Sequence, residues 1–267
     1  VLDGADVLVH AAAIRHRHGT DARAYRTSNV DLVEALVRAS AGRVGRFVHI
    51  SSVGVYGFPP ESDLPITEAT PFAPRTLYSQ TKIDAERLVE KLATSLGLPY
   101  TIVRPTIIYG RGDSNGMMDK LAAALRARRY LVVGSGQNVL HHTHVDDVVN
   151  GVFALAGSEA AKNEHFILAG PETITLQRLS EVVARAIGVR VPPVHVPLPL
   201  ARAIAGAIDL AAYRGLAFTH REPPINNEKL DVMTVPIAFD PAKARAAGFS
   251  PSVRYEDGIA RTLGGPS

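Results

Sequence analysis

The stretch "RFVHISSVGVYG", residues 46–57, joins an apolar run to a loop of small and hydroxyl residues. Its first part, residues 46–52, has the composition of a buried strand. Similar apolar runs at 6–13, 99–105 and 165–170 are also predicted to be strands. Because segments of helical periodicity separate these runs, the sequence predicts a parallel sheet covered by helices on both faces.

Amphipathic patterns predict the helices that surround this sheet. The predicted helices are 27–41, 77–97, 116–128, a helix capped by Asp146 or Asp147, 175–188, and one within 198–218. Three charged residues interrupt the last of these segments, so we interpret it as an amphipathic helix and predict no membrane span.

The fold class predicted from this alternation is α/β with a doubly wound parallel sheet. Sheets of this kind bind ligands at the carboxyl ends of their strands. The segments "HAAA", "SSVGVYG" and "RPTIIYG" all lie at those ends, and each is rich in small residues or contains glycine. We therefore expect them to border a single cleft.

Composition sets broad limits on location and partners. The chain has 267 residues, 46% of them hydrophobic, and it contains no cysteine. Lack of thiols fits the reducing cytosol, so a cytoplasmic location is predicted. The net charge is only +3, and the basic run "RARR" at 126–129 is interpreted as a solvated helix end. No nucleic-acid partner is predicted, since no aromatic stacking residues accompany that run.

Tyr78 and Lys82 lie four positions apart in "TLYSQTK", so they share one face of a helix. One interpretation is an ordinary polar turn. The other is a proton-transfer pair, because a free tyrosine has a pKa of about 10 and a nearby ammonium group lowers it. Ser51 and Ser52, at the end of a predicted strand, could hold the oxygen of a substrate.

Six motifs occur in order along the chain: "VHAAA", "SNV", "HISSVGVYG", "YSQTK", "RPTIIYGRGD" and "HVDDV". In order and spacing they resemble the extended short-chain dehydrogenase/reductase superfamily, NAD-dependent epimerase/dehydratase group. The resemblance implies a Rossmann-like domain, an NAD or NADP cofactor and an oxidoreductase. It implies that Tyr78 is the catalytic acid/base. Lys82 would lower the pKa of Tyr78 and hold the nicotinamide ribose, and Ser52 would bind the substrate oxygen.

The same resemblance implies further cofactor-binding residues and a domain division. Ala11 and Ala12 would line the cofactor. Asn29 matches a cofactor-side asparagine in the adjoining helix, and Thr106 falls where the chain passes the nicotinamide. His10, Tyr56 and Tyr109 are interpreted as packing or wall residues. Residues 1–105 and 143–168 would form the cofactor domain, and residues 106–142 and 169–267 a smaller substrate-binding part. The helices at 29–41 and 77–97 would form a homodimer interface.

One departure from the superfamily pattern concerns the cofactor. Its members begin with a βαβ unit carrying a glycine-rich pyrophosphate loop, and the sequence shows none. Some sixty residues, about the size of a βαβ pair, would supply it. We expect upstream residues to provide this loop. The alternative is a remnant of the fold that holds cofactor poorly and acts as a non-catalytic cofactor sensor.

Two positions bear on the substrate. Sugar-nucleotide epimerases of the superfamily usually carry asparagine where this chain has Ile107, and tend to carry arginine where it has Leu140. Both changes remove polar partners for a diphosphate. The sequence therefore favours a small apolar or alicyclic substrate, as in the 3β-hydroxysteroid and sterol dehydrogenase-like branch. A nucleotide-sugar 4-epimerase or dehydratase that uses the same site is the alternative.

Histidines cluster in "HHTH", 141–144, and in "HRH", 16–18. In a strand, His142 and His144 would share one face, as two zinc ligands could. No third ligand stands at a suitable spacing, so no metal site is predicted. The "HRH" segment is interpreted as a solvated loop beside the cleft.

Overall fold

A computed structural model describes residues 2, 4–15, 21–113, 116–192, 194–214 and 225–264. The strands are β1 (Val7–His10), β2 (Arg46–Ile50), β3 (Tyr100–Pro105), β4 (Ile107–Tyr109), β5 (Val132–Val133), β6 (Val139–Leu140), β7 (His142–His144), β8 (Glu164–Leu168), β9 (Ile174–Thr175) and β10 (His195–Val196). The α-helices are α1 (Ala22–Arg26), α2 (Leu32–Ser40), α3 (Leu77–Ser95), α4 (Met117–Arg126), α5 (Val145–Gly157), α6 (Leu176–Ala186), α7 (Leu198–Tyr213), α8 (Asn227–Thr234), α9 (Ala242–Ala246) and α10 (Tyr255–Leu263).

A four-stranded sheet of order β1-β2-β3-β8 organises the first part of the chain. All three of its strand pairs are parallel. Phe47 and Ile102 pack on one face against α2 and α3, whereas Val48 and Val103 pack on the other against α5. This confirms the predicted α/β fold, a parallel sheet with helices on both faces.

The strands end where the predicted cleft begins. β1 stops at His10, β2 at Ile50 and β3 at Pro105, earlier than the first two were predicted to end. Ser51 and Ser52 consequently leave the sheet and enter a loop, although the sequence placed them in the strand. Since the strands are parallel, these ends lie at one edge of the sheet.

Two predicted helix starts are corrected. The helix predicted over 27–41 begins at Ala22, because the side chain of Asp21 accepts a hydrogen bond from the backbone of Ala24 at 2.7 Å. It continues through a π-helical turn over Thr27–Asp31 into α2. Helix α5 is capped by His144, whose Nδ1 accepts from the backbone of Asp146 at 3.2 Å.

Asp147, predicted as an alternative cap of α5, has a different role. Its buried carboxylate accepts hydrogen bonds from the backbone of Ser252 and Val253, each at 3.0 Å. The aspartate therefore fastens the segment before α10 to the start of α5. The predicted Thr175 cap of α6 is confirmed, since its hydroxyl accepts from the backbone of Arg178.

The C-terminal part adds short sheets and a second core. Helices α4, α6 and α10 enclose this core, with Leu125, Leu179 and Ile259 at its centre. Leu230 of α8 and Ala205 of α7 belong to a smaller cluster. Among the described residues, no helix is both long and apolar enough to cross a membrane. The division into cofactor and substrate parts stays a prediction.

Candidate active site

A cavity of about 650 Å³ opens at the carboxyl ends of β1, β2 and β3. It is lined by residues that follow each of these strands and by the first turns of α3. The sequence-predicted residues that border it are Ala11, Ser52, Tyr78, Lys82 and Thr106. The segments expected to share one cleft therefore do so.

Tyr78 and Ser52 are brought together by two local caps. Thr76 caps α3 by accepting from the backbone of Ser79 at 3.0 Å, so the helix starts one residue before Tyr78. Ser52 caps the 3₁₀ turn over Val53–Tyr56 by accepting from the backbone of Gly54. Both side chains line the cavity, and hydrogen bonding from Ser52 is among the influences that lower the pKa of Tyr78. This pair can hold and protonate one substrate oxygen.

Burial dominates the pKa of Tyr78. Removing the phenolate from water raises this pKa above its ordinary value of 10, although the hydrogen bond from Ser52 and the charge of Arg15 oppose the rise. At neutral pH the phenol is therefore protonated. In the free protein, Tyr78 is therefore in the form that can donate a proton.

Lys82 lies one turn further along α3 and is almost fully buried. Its Nζ donates a hydrogen bond to the carbonyl oxygen of Ile50 at 2.7 Å and lies 5.9 Å from the centre of the Tyr78 ring. Burial lowers the pKa of Lys82 to about 8, with Glu86 opposing this shift. The role of Lys82 in lowering the pKa of Tyr78 stays a prediction.

The other predicted cofactor residues lie in different places. Ala11 lines the cavity, whereas the exposed Ala12 beside it does not. The hydroxyl of Thr106 lies 2.7 Å from that of Thr143, which in turn donates to the carbonyl oxygen of Leu168. The Thr106 hydroxyl is thereby fixed at the cavity wall.

Asn29 has a scaffolding position and does not border the cavity. Its buried amide accepts from the backbone of Ile14 at 2.8 Å and donates to the carbonyl oxygen of the same residue at 3.0 Å. It also donates to the hydroxyl of Thr81 on α3 at 3.1 Å. Its hydrogen-bonding capacity is largely used within the protein, so it holds the loop after β1 against α3.

His10, Tyr56 and Tyr109 are buried, as their interpretation as packing or wall residues requires. His10 stacks on His49, and their Nδ1 atoms are 3.2 Å apart. Burial and then the charge of Lys82 lower the pKa of His10 to about 4, so this pair is neutral at pH 7. Tyr109 stacks on Tyr255.

The "HHTH" histidines also serve the fold. His141 bonds the carbonyl oxygen of Gly170 through Nε2 and accepts from the backbone of Phe239 through Nδ1. His142 contacts the Tyr255 hydroxyl, and His144 caps α5. The part of the chain that the structure describes contains no group of three potential metal ligands. The "HRH" segment at 16–18 lies outside the described residues.

Comparison with known proteins places this geometry in a family. Residues 1–169 match the model of the NAD dependent epimerase/dehydratase family. The chain belongs to this family. The matched region includes the ends of β1, β2 and β3, the loop that carries Ser51 and Ser52, and helix α3.

Relatives within the epimerase/dehydratase family differ in what they act on. A 3beta-hydroxysteroid-dehydrogenase/decarboxylase of Arabidopsis thaliana is 26% identical and matches 97% of this chain. The match spans 62% of that relative's length. A 4-hydroxy-2-methyl-3-oxo-4-farnesyl-3,4-dihydroquinoline-1-oxide ketoreductase of Stigmatella aurantiaca is 28% identical, covering 96% of this chain and 76% of the relative.

A solved structure gives the same fold. UDP-glucuronic acid 4-epimerase from Bacillus cereus, in complex with NAD, superposes with a TM-score of 0.75 over 97% of this chain and 73% of that one. Its sequence is 20% identical. The likeness confirms the Rossmann-like epimerase/dehydratase architecture and bears on the fold alone.

Cavity side chains fit the ribose and amide end of the family's nicotinamide cofactor. The Ser51 hydroxyl borders the cavity, is buried, and has no hydrogen-bond partner among the described residues. Lys82 has three N–H donors, and one of them reaches Ile50. A polar ligand in the cavity would satisfy the groups that the protein leaves unpaired.

Another part of the cavity wall is formed by residues from distant parts of the chain. Ile107 and Leu140 border the cavity, as expected of positions that bear on the substrate. The apolar side chains that accompany them are Phe58, Val232, Ile237 and Phe239. This wall is a surface for an apolar ligand.

Sequence reasoning missed three charged residues of the cavity: Arg15, Arg75 and Asp231. Arg75 directly precedes "TLYSQTK" and Arg15 closely follows "HAAA", so nearness to a motif was the available signal for both. Asp231 is 156 residues beyond Arg75 and hydrogen-bonds it at 3.1 Å. No local pattern marks such a long-range contact.

Proposed function

We propose that the protein is an NAD(P)-dependent oxidoreductase that interconverts an alcohol and a ketone on a small apolar or alicyclic substrate. The observation that supports this best is that Tyr78, Ser52 and Lys82 line one cavity. A phenol and a second hydroxyl directed at one point suit a carbonyl oxygen. Family membership supports the nicotinamide cofactor.

The nicotinamide ring, when bound, would accept or donate the hydride. Ser52 donates a hydrogen bond to the substrate oxygen and orients it, while Tyr78 exchanges a proton with that oxygen. Because the pKa of Tyr78 is raised, it holds this proton at neutral pH, which favours reduction of a ketone. Lys82 and the hydroxyls of Ser51 and Thr106 would hold the ribose and amide groups.

An apolar substrate is favoured by the wall of Ile107 and Leu140. A diphosphate would need charge-assisted hydrogen bonds, which aliphatic side chains do not provide. The names of a steroid dehydrogenase and a ketoreductase among the relatives support the same class. The homodimer and the cytoplasmic location stay predictions.

Turnover by the Tyr78→Phe variant provides the test. We expect the wild type to use a 3β-hydroxysteroid or a cyclic ketone and not UDP-glucose, with nicotinamide absorbance as the readout. Loss of the proton donor should reduce kcat/KM by about 100-fold to 10,000-fold. Tyr213→Phe is the matched control, because Tyr213 is 90% exposed on α7.

Two results would overturn parts of this proposal. Undiminished turnover by Tyr78→Phe would remove the tyrosine from the mechanism. If the protein turns over UDP-glucose and is inactive on every apolar alcohol and ketone, its substrate is a sugar nucleotide.

A further inference from the structure

Arg75 is positioned at the cavity wall by two contacts. Its guanidinium lies over the ring of Phe58, 5.3 Å from the ring centre, and its Nη1 donates a hydrogen bond to Oδ2 of Asp231 at 3.1 Å. All three residues line the cavity. An arginine has five N–H donors, and among the described residues the other four have no protein partner. Arg75 is therefore held by the protein and still able to bind a ligand.

The three charged groups that meet at Asp231 leave an excess of one positive charge. Asp231 accepts from Arg75 through Oδ2 and from Arg202 through Oδ1, at 3.1 and 3.0 Å. Two guanidinium groups thus share one carboxylate, and the side chain of Asp231 is 18% exposed. A ligand with a single negative charge would neutralise this group. A diphosphate would bring further negative charge close to the carboxylate of Asp231, which disfavours it.

Apolar side chains surround this charged group on the cavity wall. Val232 belongs to α8, and Ile237 and Phe239 come from the segment that follows α8. The ring of Phe58 carries the guanidinium of Arg75 on its face. A ligand that fits both features has an apolar body and one anionic group.

Arg75 also lies close to Tyr78 along the chain. It directly precedes Thr76, whose hydroxyl caps α3 by accepting from the backbone of Ser79 at 3.0 Å. The chain from Arg75 to Tyr78 spans at most about 11 Å even when it is fully extended. The guanidinium and the phenol can therefore act on two groups of one small molecule.

We infer that Arg75 determines substrate specificity by binding a carboxylate on an apolar, alicyclic substrate, while Tyr78 acts on the carbonyl or alcohol oxygen. The inference rests on the proposed function, because it takes the cavity beside Tyr78 as the site of reaction. A guanidinium binds a carboxylate through two parallel hydrogen bonds, and Arg75 has the N–H donors for them. Asp231 and Phe58 hold Arg75 for this contact.

Ligand binding to the free protein tests the inference without turnover. The probes are adamantane-1-carboxylate and the uncharged adamantane-1-carboxamide, which share one apolar cage, and isothermal titration calorimetry measures both affinities. The carboxylate should bind about tenfold more tightly, since charge-assisted hydrogen bonds are stronger than neutral ones. This preference should weaken in high salt, because the side chain of Arg75 is 56% exposed and its charge is screened.

Substitutions at position 75 identify the group that binds the charge. Arg75→Gln should reduce the preference to about twofold or less, because a neutral amide forms no ion pair. Arg202 still pairs with Asp231 in this variant, so no carboxylate is left unpaired. Arg75→Lys keeps the charge without the planar fork, and its preference should lie between those of the wild type and Arg75→Gln.

Arg87→Gln is the matched control for the loss of one positive charge. Arg87 is exposed on α3 and is not among the residues that line the cavity. This variant should keep the full preference of the wild type for the carboxylate.

Turnover provides the second readout. The compounds are 3-oxocyclohexane-1-carboxylate and its methyl ester, which share a ring and a ketone and differ in charge. The wild type should favour the carboxylate by about tenfold in kcat/KM, mainly through a lower KM, and Arg75→Gln should lose this difference. A preference in binding that is absent from kcat/KM contradicts the inference, because the carboxylate would then bind away from the reacting position.

The outcomes separate this inference from the proposed function. If the wild type does not prefer the carboxylate, or if Arg75→Gln keeps the preference, Arg75 does not determine specificity, and the role of Tyr78 is unaffected. If the preference depends on Arg75 while Tyr78→Phe retains full turnover, the carboxylate site stands and the proposed function is overturned.

Discussion

Lys82 carries an ammonium group where the fold disfavours charge. Its side chain is 3% exposed, and burial lowers its pKa to about 8. The buried histidine pair of His10 and His49 lies near enough for the charge of Lys82 to lower both pKa values further. A buried ionisable group that lowers the stability of the folded protein is typical of a functional site, because activity there can require a less stable arrangement.

Replacing Lys82 by methionine should stabilise the free protein at pH 7 by about 1–3 kcal/mol while abolishing turnover. Between pH 8 and 10.5 the unfolded chain keeps a proton that the folded protein has released. Wild-type stability therefore rises with pH across this window, and the advantage of Lys82→Met should shrink. Urea unfolding at pH 7 and pH 10 measures both effects.

Lys91→Met on the exposed face of the same helix should change neither stability nor its pH dependence. If Lys82→Met increases the free energy of unfolding equally at pH 7 and pH 10, the buried charge of Lys82 is not the source of the gain in stability.

At the scale of elements, α3 and β3 are joined by a buried ion pair. Arg104 donates to Glu86 through Nε at 3.0 Å and through Nη2 at 2.6 Å, and both side chains are at most 3% exposed. Arg104 also donates to the hydroxyl of Tyr56 at 2.7 Å. The pair holds α3 in register with the sheet, and with it Tyr78 and Lys82.

Breaking this pair on one side should be severe. Glu86→Leu leaves a buried guanidinium without its carboxylate, and we expect a loss of about 3–5 kcal/mol in the free energy of unfolding. The double variant Glu86→Leu/Arg104→Met should be more stable than Glu86→Leu, because no charge is left unpaired. Urea unfolding measures the free energy of unfolding of the wild type and of both variants.

The exposed pair of Arg38 and Glu34 on α2 provides the control, and Glu34→Gln should cost under about 0.5 kcal/mol. A double variant as unstable as the Glu86 single variant would mean that the pair itself, and not an unpaired charge, sets the cost.

Sequence patterns predicted the parts of the fold that depend on local periodicity and strand ends. The sheet, its two helical layers and the meeting of three strand ends at one cleft followed from such patterns, whereas the resemblance implied that Ser52, Tyr78 and Lys82 share that cleft. Roles that depend on partners distant in sequence did not follow. The hydrogen bonds of Asn29 to Ile14 and Thr81 are of this kind, and its assignment to the cofactor stays a prediction. Arg202 is one of the three charged residues that interrupt the apolar stretch 198–218, and no local pattern indicated its partner.

At the scale of the whole molecule, Arg202 binds Asp231, a residue of the cavity wall. Its Nη2 donates to Oδ1 of Asp231 at 3.0 Å, while Arg75 donates to Oδ2 at 3.1 Å. The guanidinium of Arg75 also lies over the ring of Phe58, 5.3 Å from its centre. Asp231 of α8 thus joins α7 to the loop before α3, at the cavity wall.

Asp231→Asn should therefore loosen substrate binding without affecting proton transfer. Two partly exposed ion pairs contribute about 1 kcal/mol together, which corresponds to an increase of about fivefold in KM for an apolar ketone. The kcat should stay within about twofold, because Tyr78 and Ser52 keep their contacts.

The KM of the wild type should also rise with salt, and the KM of the variant should not. Lys243→Gln, which breaks an ion pair with Glu164 away from the cavity, is the control, and a fall in kcat at constant KM would contradict this role.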